Sequence, residues 1–596
     1  MIRNGVAIIG MGCRFPRAES PDELWSLVCN GVEAITEVPP DRWDCRQMWS
    51  ADSRELELTY ARWGGFIEGA DRFDAALFGV SDAEAEYMDP QQGMALEAAW
   101  HAIEQSGIAP EALEGSQTGV FVGIGNSDFD RRLCSDLTRL DLRAGTGTSY
   151  AIVANRVSYV LGLQGPSVAV DTACSSSLVA IHLACRSLLS RETDLALAGG
   201  VHIMLSPEKT ITLSQGGILS RDGHCKSFSS HADGYVRGEG GGMLLLRRLD
   251  DALRERNPIL AVIRGSAMNH NGRSNGLSAP LGGAQRALMR RALEVAEIPA
   301  QSIGYVEAHA TGTRLGDIIE FNALRAVLDE PNCADNPCLI SSLKANIGHL
   351  EAAAGIAGLI KAALSVREGW IAPILHATPR NPDLRLAGSR LRIADHGERW
   401  PHAGPCMRAL VNGFSFGGAN ASVVVEEPPS AVRASDLEAR YAAAVLPLSA
   451  NSDSALRALA GRYAGYFRAL SGSKHPAQAF ADACFTAQVG RKHFRHRAAI
   501  VAHNALDAAA QLDELYLYGR ESGCPTRLSD PIELRDLARA YVDGLGVDWA
   551  VLARGEECVT DLPKYPFERR CYWRTAPKAR PMTAEELKGG SHVASV

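Results

Sequence analysis

The chain has 596 residues, 46% of them hydrophobic and 22% charged, which is the composition of a folded globular protein long enough to bury a large core. A formal charge of −8 with no basic block argues against a nucleic-acid partner, and no apolar run reaches the roughly 18 residues that a membrane-spanning helix requires. The fourteen cysteines are scattered without a C-x-x-C pair, and no H-E-x-x-H occurs, so neither a disulfide nor a zinc framework is expected.

In chain order, the opening MIRNGVAIIGMGCRFP reads as a buried strand. It reaches Gly, Cys, Arg and Pro too soon for a signal peptide, so a cytoplasmic protein is expected. From residue 1 to 428, short apolar runs alternate with helical patterns, the mark of an α/β unit. The spacing predicts strands at Val6–Ile9, Gly119–Gly123, Ser167–Val170, Leu195–Met204 and Gly242–Leu246. Later ones fall at Leu260–Arg264, Ile303–Glu307, Leu339–Ser342, Arg408–Val411 and Ser422–Val425. Several end in Gly-rich turns, where open α/β sheets place their sites. The strands group before and after about Asn257, which fits a duplicated core although no repeat is legible in the letters.

EEPPSAVRASD (Glu426–Asp436) has the prolines, small residues and charges of a linker. The stretch 429–529 is expected to be a small α/β domain. Its signals are an apolar run at Val445–Leu448, a helix with Leu456, Leu459, Tyr463 and Phe467 on one face, the stretch Phe480–Val489, and a strand at Ala498–Val501. Residues 530–575 start with a helical stretch at Ile532–Leu545 and carry Trp549, Tyr565, Phe567, Tyr572 and Trp573, enough aromatics to pack the segment back on the first domain. Residues 576–596 are polar and expected to be disordered.

The most informative segment is SVAVDTACSSSLVAIHLACRSLLS (Ser167–Ser190). A strand ends at Val170 and a helix follows with Leu178, Ile181, Cys185 and Leu188 spaced three and four apart. Cys174 lies between them, ahead of three serines that can cap the helix. A helix N-terminus favours a thiolate, lowers the cysteine pKa, and offers N–H groups to an oxyanion. The same turn holds a buried structural cysteine just as readily. His309, in IGYVEAHATGTRLGD, and His349, in LISSLKANIGHLEAAAGIAG, also follow strand ends. A lone histidine is more often a satisfied polar group, but neutral imidazoles can donate to a developing enolate or exchange a proton. Lys344 is either a surface lysine or a fixed positive charge organising the site.

DTACSSSL, EAHATGT and the KANIGH segment resemble the three signature blocks of beta-ketoacyl synthases. IIGMGCRFP, MDPQQGMALEAAW, FSSHADGYVRGEGG, NHNGRSNGLSAP and NGFSFGGANASVVVEE agree, in the right order, over residues 5 to about 428. Together they are similar to the ketosynthase of type I polyketide synthases. The resemblance implies a thiolase fold, a duplicated five-layered α-β-α-β-α core, followed here by the small α/β linker domain, and a homodimer. It implies that Cys174 is acylated by the incoming chain and that His309 and His349 support decarboxylation of a malonyl unit on an acyl carrier protein. The enolate then attacks the Cys174-bound acyl group in a Claisen condensation. Thr311 and Thr313 match positions that hydrogen-bond the phosphopantetheine arm. Phe416 matches a gating aromatic whose backbone N–H pairs with that of Cys174 as the oxyanion hole. No bound cofactor is implied, since substrates arrive on the phosphopantetheine of a carrier protein.

The sequence departs from the family pattern in four places. Ala310 replaces a glycine in HATGT, where its methyl would crowd the pantetheine channel or shift His309. Ile318 replaces a proline in LGDIIE, and in the gate loop Ala419 and Ser422 stand for threonine and histidine. Further on, VLPLSANSDSALRALAGRY resembles the linker after polyketide ketosynthases, and GVDWAVL and LPKYPFERRCYW resemble the segment that normally follows an acyltransferase. No acyltransferase lies between them, a pattern similar to synthases whose acyltransferase acts in trans, or to a chain from which that domain has been excised. Two rival functions are a non-elongating ketosynthase that only transfers acyl chains, against which the retained His309 argues, and a silent docking module for a trans-acting acyltransferase, against which all three catalytic residues argue.

Three weaker signals are set aside. GFSFG (Gly413–Gly417) fits a hydrolase nucleophile elbow in letters, but a strand pattern follows where a helix is required. Gly10-Met-Gly12 lacks the third glycine of a dinucleotide fingerprint. The basic cluster Arg491–Arg497 reads as a solvated face, or as a dock for an acidic carrier protein.

Overall fold

A computed structural model describes residues 5–572 except 53–54, 127, 135–140, 330–335, 402–405, 430–442, 520–530, 554 and 556. Most of the linker Glu426–Asp436, Trp573 and the tail 576–596 lie outside the described residues.

Eleven strands form one sheet. They are β1 Val6–Arg14, β2 Gly119–Gly123, β3 Ser167–Val170, β4 Leu195–His202, β5 Gly240–Arg248 and β6 Ala261–His270. The rest are β7 Tyr305–Glu307, β8 Cys338–Ser341, β9 Leu391–Ile393, β10 Arg408–Phe414 and β11 Ala419–Glu426. All ten expected strands are present, and β9 is an addition. The order is β9-β8-β7-β10-β11-β6-β1-β5-β4-β2-β3. At its centre β1 pairs antiparallel with β6. Outward from β1 the pairings run antiparallel to β5, antiparallel to β4, parallel to β2 and parallel to β3. Outward from β6 the same series repeats through β11, β10, β7 and β8, with β9 added at the edge. The duplication invisible in the letters is therefore explicit in the pairing, and β3 corresponds to β8.

Helices fill the faces. We number α1 Pro90–Ser106, α2 Ser176–Leu189, α3 Gly282–Ala296, α4 Arg314–Leu328 and α5 Ala354–Glu368. α2 and α5 share one core with strands from both halves, so they form the middle layer, while α1 covers the first half and α3 and α4 cover the second. Leu178, Ile181 and Leu188 on α2 are fully buried. Each such side chain contributes about 1.5–3 kcal/mol by leaving water. Strands enclosed on both faces read as continuous apolar runs, which is why they were legible. α1 has Asp89 as its N-cap, Pro90 at its first position and left-handed Gly107 at its end. It lies directly on β1, where a Cβ on Gly10 or Gly12 would fall 1.9 Å from the Ala102 carbonyl or 2.1 Å from the Ala98 carbonyl. Helix packing, not a dinucleotide, accounts for Gly10-Met-Gly12.

The second unit pairs β12 Ala444–Ala450 antiparallel with β13 His496–Ala502. Around them lie α6 Asp453–Leu470, α7 Pro476–Val489, α8 Ala505–Tyr518 and α9 Ile532–Val542. Ser452 caps α6, whose Leu456, Leu459, Tyr463 and Phe467 are buried as the periodicity predicts. The aromatic segment divides. Trp549 packs on Tyr541 and His493 of the small unit, not on the large one. Phe567 stacks on His101 at 4.6 Å, and the Tyr565 N–H donates to the Glu104 carboxylate at 2.9 Å. The Tyr572 N–H donates to the Asp71 carbonyl. Arg491 is likewise not a solvated residue, because its Nη1 donates to the Glu104 carbonyl at 2.6 Å and so joins the two units. Among the described residues no helix is long and apolar enough to cross a membrane.

Candidate active site

Cys174 sits in a one-turn 3-10 helix, Ala173–Ser175, between β3 and α2. Ala173 is left-handed at φ 54, a conformation disfavoured by about 1–2 kcal/mol for an L-residue. The surrounding bonds hold it there. The Asp171 carboxylate accepts the Ala173 N–H at 2.9 Å, and Ser176 Oγ accepts the Thr172 N–H while donating to the Ala173 carbonyl. The serines therefore do not cap α2 as expected. Ser175 and Ser176 are consumed in the turn, and Ser177 Oγ accepts the Ile356 N–H at 3.0 Å at the start of α5.

The expected depression of the Cys174 pKa is also corrected. Burial pushes the thiol up to about 12, and the Glu351 carboxylate adds to this. The N–H groups of Phe416 and Cys174 and the charge of Lys344 act in the opposite sense without overcoming it. Loss of hydration outweighs the partial charge of a helix end, which is worth only about 0.3–1 kcal/mol at an exposed site.

His309 follows β7 and is fixed through its backbone: the Glu320 carboxylate of α4 accepts the N–H of His309 at 2.9 Å and of Ala310 at 2.7 Å. Asn412 Nδ2 donates to the same carboxylate at 3.3 Å, and Ser422 Oγ donates to Asn412 Oδ1 at 2.7 Å. Ala310 is 1% exposed and is not left-handed, so its methyl imposes no backbone strain on His309. Ala419 closes the gate hairpin through its backbone carbonyl, which the Ser415 N–H reaches at 3.0 Å, so the missing threonine removes none of that contact. Ile318 is half-buried on α4.

His349 follows β8 through the Lys344–Ile347 turn. Its Nδ1 accepts the Glu351 N–H at 3.1 Å. A backbone N–H can only donate, so the neutral ring carries its proton on Nε2. The rings of His309 and His349 lie 5.4 Å apart, edge to face at 87°. Burial, reinforced by the Lys344 charge, lowers both imidazoles well below their ordinary range, so both are neutral donors at physiological pH.

Cys174, His309, His349, Thr311, Thr313 and Phe416 line one chamber of about 570 Å³. The hydroxyls of Thr311 and Thr313 lie 3.2 Å apart. Phe416 is at the tip of the β10–β11 hairpin, a residue 55% exposed, while its backbone N–H faces the Cys174 sulfur. The strand after GFSFG is β11, so Ser415 occupies a hairpin and not a nucleophile elbow. Lys344 is not a surface lysine. It is 7% exposed, and burial lowers its pKa while Glu307 and Glu320 raise it.

Glu351 and its partners were not singled out from the sequence. Arg237 Nε donates to Glu351 at 2.6 Å, and His202 lies 3.6 Å from the other carboxylate oxygen. Burial alone would raise the Glu351 carboxyl, but Arg237 and His202 hold it at about 2. Glu351 is also left-handed, at φ 45, in the 3-10 turn before α5 that answers the Ala173 turn before α2. Duplication thus delivers the sulfur and the second imidazole to one chamber from corresponding loops. Arg237 stands in YVRGEGG, and Glu351 directly follows KANIGHL, but no spacing connects them.

Comparison with known proteins agrees with this geometry. The family model described as beta-ketoacyl synthase, N-terminal domain, matches residues 3–252, and the C-terminal domain model matches residues 260–378. A model described as CurL-like, PKS C-terminal, matches residues 444–512. A phenolphthiocerol/phthiocerol polyketide synthase polypeptide from Mycobacterium tuberculosis (strain CDC 1551 / Oshkosh) is 42% identical over 94% of this chain. The chain spans 30% of that relative's length. An oxazolomycin ketosynthase domain of Streptomyces albus JA3453 superposes with TM-score 0.87 at 35% identity, covering 96% of this chain and 99% of that one. The ketosynthase from module 6 of the bacillaene synthase of Bacillus subtilis 168 gives TM-score 0.83 at 32% identity, covering 96% and 100%. With these matches across its sequence and its fold, the chain belongs to the beta-ketoacyl synthase family, as a thiolase-fold ketosynthase of the polyketide synthase type.

Proposed function

We propose that the chain elongates a polyketide by one decarboxylative Claisen condensation per cycle. The observation carrying this reading is that two neutral imidazoles, 5.4 Å apart, line the same chamber as Cys174. In the first step the Cys174 sulfur attacks the acyl thioester of a carrier protein. The N–H groups of Cys174 and Phe416 receive the oxyanion, the carrier sulfur leaves, and the thiol proton passes to it. Because the free thiol lies near 12, deprotonation is coupled to this transfer and does not precede it. In the second step a malonyl carrier protein enters along Thr311 and Thr313. Its C–CO₂ bond breaks and the electron pair becomes an enolate. The Nε2–H of His349 and the ring of His309 hold the enolate oxygen, in a pocket where a carboxylate gains little from water. The enolate carbon then attacks the acyl carbon, and Cys174 leaves and recovers a proton. Burial, with the Lys344 charge adding to it, keeps both imidazoles neutral.

Ketosynthase domains use no cofactor of their own, and acyl chains reach them on carrier-protein phosphopantetheine. The working partners are therefore an acyl-loaded and a malonyl-loaded carrier protein. A trans-acting acyltransferase is favoured by the short passage from the CurL-like region, ending at 512, to α9 at Ile532. Homodimer formation is favoured by β3, one of the two edges of the sheet and unpaired on its outer side among the described residues, where Val168 is 39% exposed. Action in the cytoplasm completes the proposal. Incubation with an acyl thioester and malonyl carrier protein, read by intact-protein mass spectrometry, tests it. Wild type should load and extend, Cys174→Ala should not load, and His309→Ala should load without extending. Extension by the His309 variant would overturn the assignment.

A further inference from the structure

Outside the chamber, Glu33, His224 and His376 converge from three separate segments. Oε1 of Glu33 is 2.9 Å from Nδ1 of His224 and 3.0 Å from Nε2 of His376. The two imidazole centroids lie 4.4 Å apart at an interplanar angle of 40°. One donor atom from each residue falls within 4.8 Å of the others. His376 Nε2 is closed to solvent and has the Glu33 carboxylate as its ion-pair partner at 3.0 Å. Its nitrogen is aimed into the space the three side chains share. His376 is itself left-handed at φ 57, a conformation that persists in a non-glycine residue only where its surroundings impose it.

We propose that Glu33, His224 and His376 bind one divalent transition-metal ion, with Zn²⁺ the best chemical match, as a structural clamp. Two imidazole nitrogens and one carboxylate oxygen suit zinc and its neighbours, and they are too few oxygens for Ca²⁺ or Mg²⁺. Tetrahedral Zn–N and Zn–O bonds of about 2.0–2.2 Å set the ligand atoms roughly 3.3 Å apart. The present separations of 2.9 and 3.0 Å reach that by side-chain movements of a few tenths of an ångström. No spacing rule reveals the trio, because its members are scattered over more than half the chain.

The ion would tie together the supports of the chamber. The Ala34 N–H donates to the Asn346 carbonyl at 2.7 Å, and Asn346 Nδ2 donates to the Val32 carbonyl at 3.0 Å. Glu33 is thereby joined to the Lys344–Ile347 turn that precedes His349. His224 precedes Cys225, whose Sγ donates to the Thr311 carbonyl at 3.3 Å. None of the three lines the chamber, so they are positioning residues.

The test uses the full chain stripped with a chelator, then titrated with Zn²⁺ by calorimetry and with Co²⁺ by absorption. One equivalent of either ion should bind and raise the melting temperature. Cobalt should show weak d–d bands without a thiolate-to-metal charge-transfer band. His224→Ala and His376→Ala should each weaken binding by at least ~10-fold. Cys174→Ala should leave it unchanged. Glu33→Gln, which keeps the shape, should weaken binding as well and serves if a histidine variant fails to fold. Absence of saturable binding, equal affinity in the variants, or a charge-transfer band lost in Cys174→Ala would each overturn the proposal.

Discussion

Cys174 sits where a helix N-terminus and two amides favour a thiolate while burial and Glu351 oppose it. The second pair prevails and the thiol lies near 12. The sulfur is therefore protonated at rest, and its fraction of thiolate rises with every step in pH toward that value. Alkylation by iodoacetamide, followed on the Cys174 peptide, should accelerate ~10-fold per pH unit from about pH 7 to 9 without levelling. A plateau below about pH 8 would contradict the account. A second prediction concerns Ser422. Removing its hydroxyl in Ser422→Ala leaves the buried Asn412 Oδ1 unpaired, a cost of about 1–3 kcal/mol, and loosens Glu320 under His309. Thermal denaturation should show the loss, and extension should fall more than loading. Equal losses in both steps would deny Ser422 that positioning role. At this scale the sequence supplied the identities of the reactive groups through Cys174, His309 and His349. It did not supply their solvation, because burial is a property of the neighbours. Glu351, Arg237 and the Ser422–Asn412–Glu320 chain escaped notice for the same reason: each matters through a partner distant in sequence.

Among the elements, strands enclosed on both faces were legible because nearly every residue in them is apolar, as in β1 and β4. β9 was missed because three residues at a sheet edge carry too short a pattern. The duplication was hinted at by grouping alone, since pairing direction leaves no trace in composition, yet it explains why Cys174 and His349 meet. The serine run misled because a hydroxyl near a helix start was assigned to that helix, whereas Ser177 serves α5. In the first half of the core the backbones of β1 and α1 approach closely. Gly10→Ala places a methyl against the Ala102 carbonyl, and overpacking of this kind costs about 1–3 kcal/mol or more. Differential scanning calorimetry should register a melting temperature several degrees lower, and an unchanged one would mean that α1 shifts freely.

For the whole molecule, the aromatic segment and Arg491 join the small unit to α1, with Glu104 receiving a bond from each. That fixes the second unit beside the first half of the core. The unpaired edge at β3 lies just before the Cys174 turn, so association there would involve the site's own strand. If the chain dimerises edge to edge at β3, as proposed, Val168→Lys puts two like charges across that symmetric contact and should shift light scattering after size exclusion from dimer to monomer. A dimer that survives this change would place the contact elsewhere.

In the proposed reaction the labour is divided, with the sulfur carrying the acyl chain and the two neutral imidazoles carrying the enolate. Release of CO₂ from malonyl carrier protein, measured without any acyl donor, separates the two. Cys174→Ala should still release CO₂, whereas His309→Ala and His349→Ala should each lose ~10²-fold or more. Undiminished CO₂ release in either histidine variant would contradict the account.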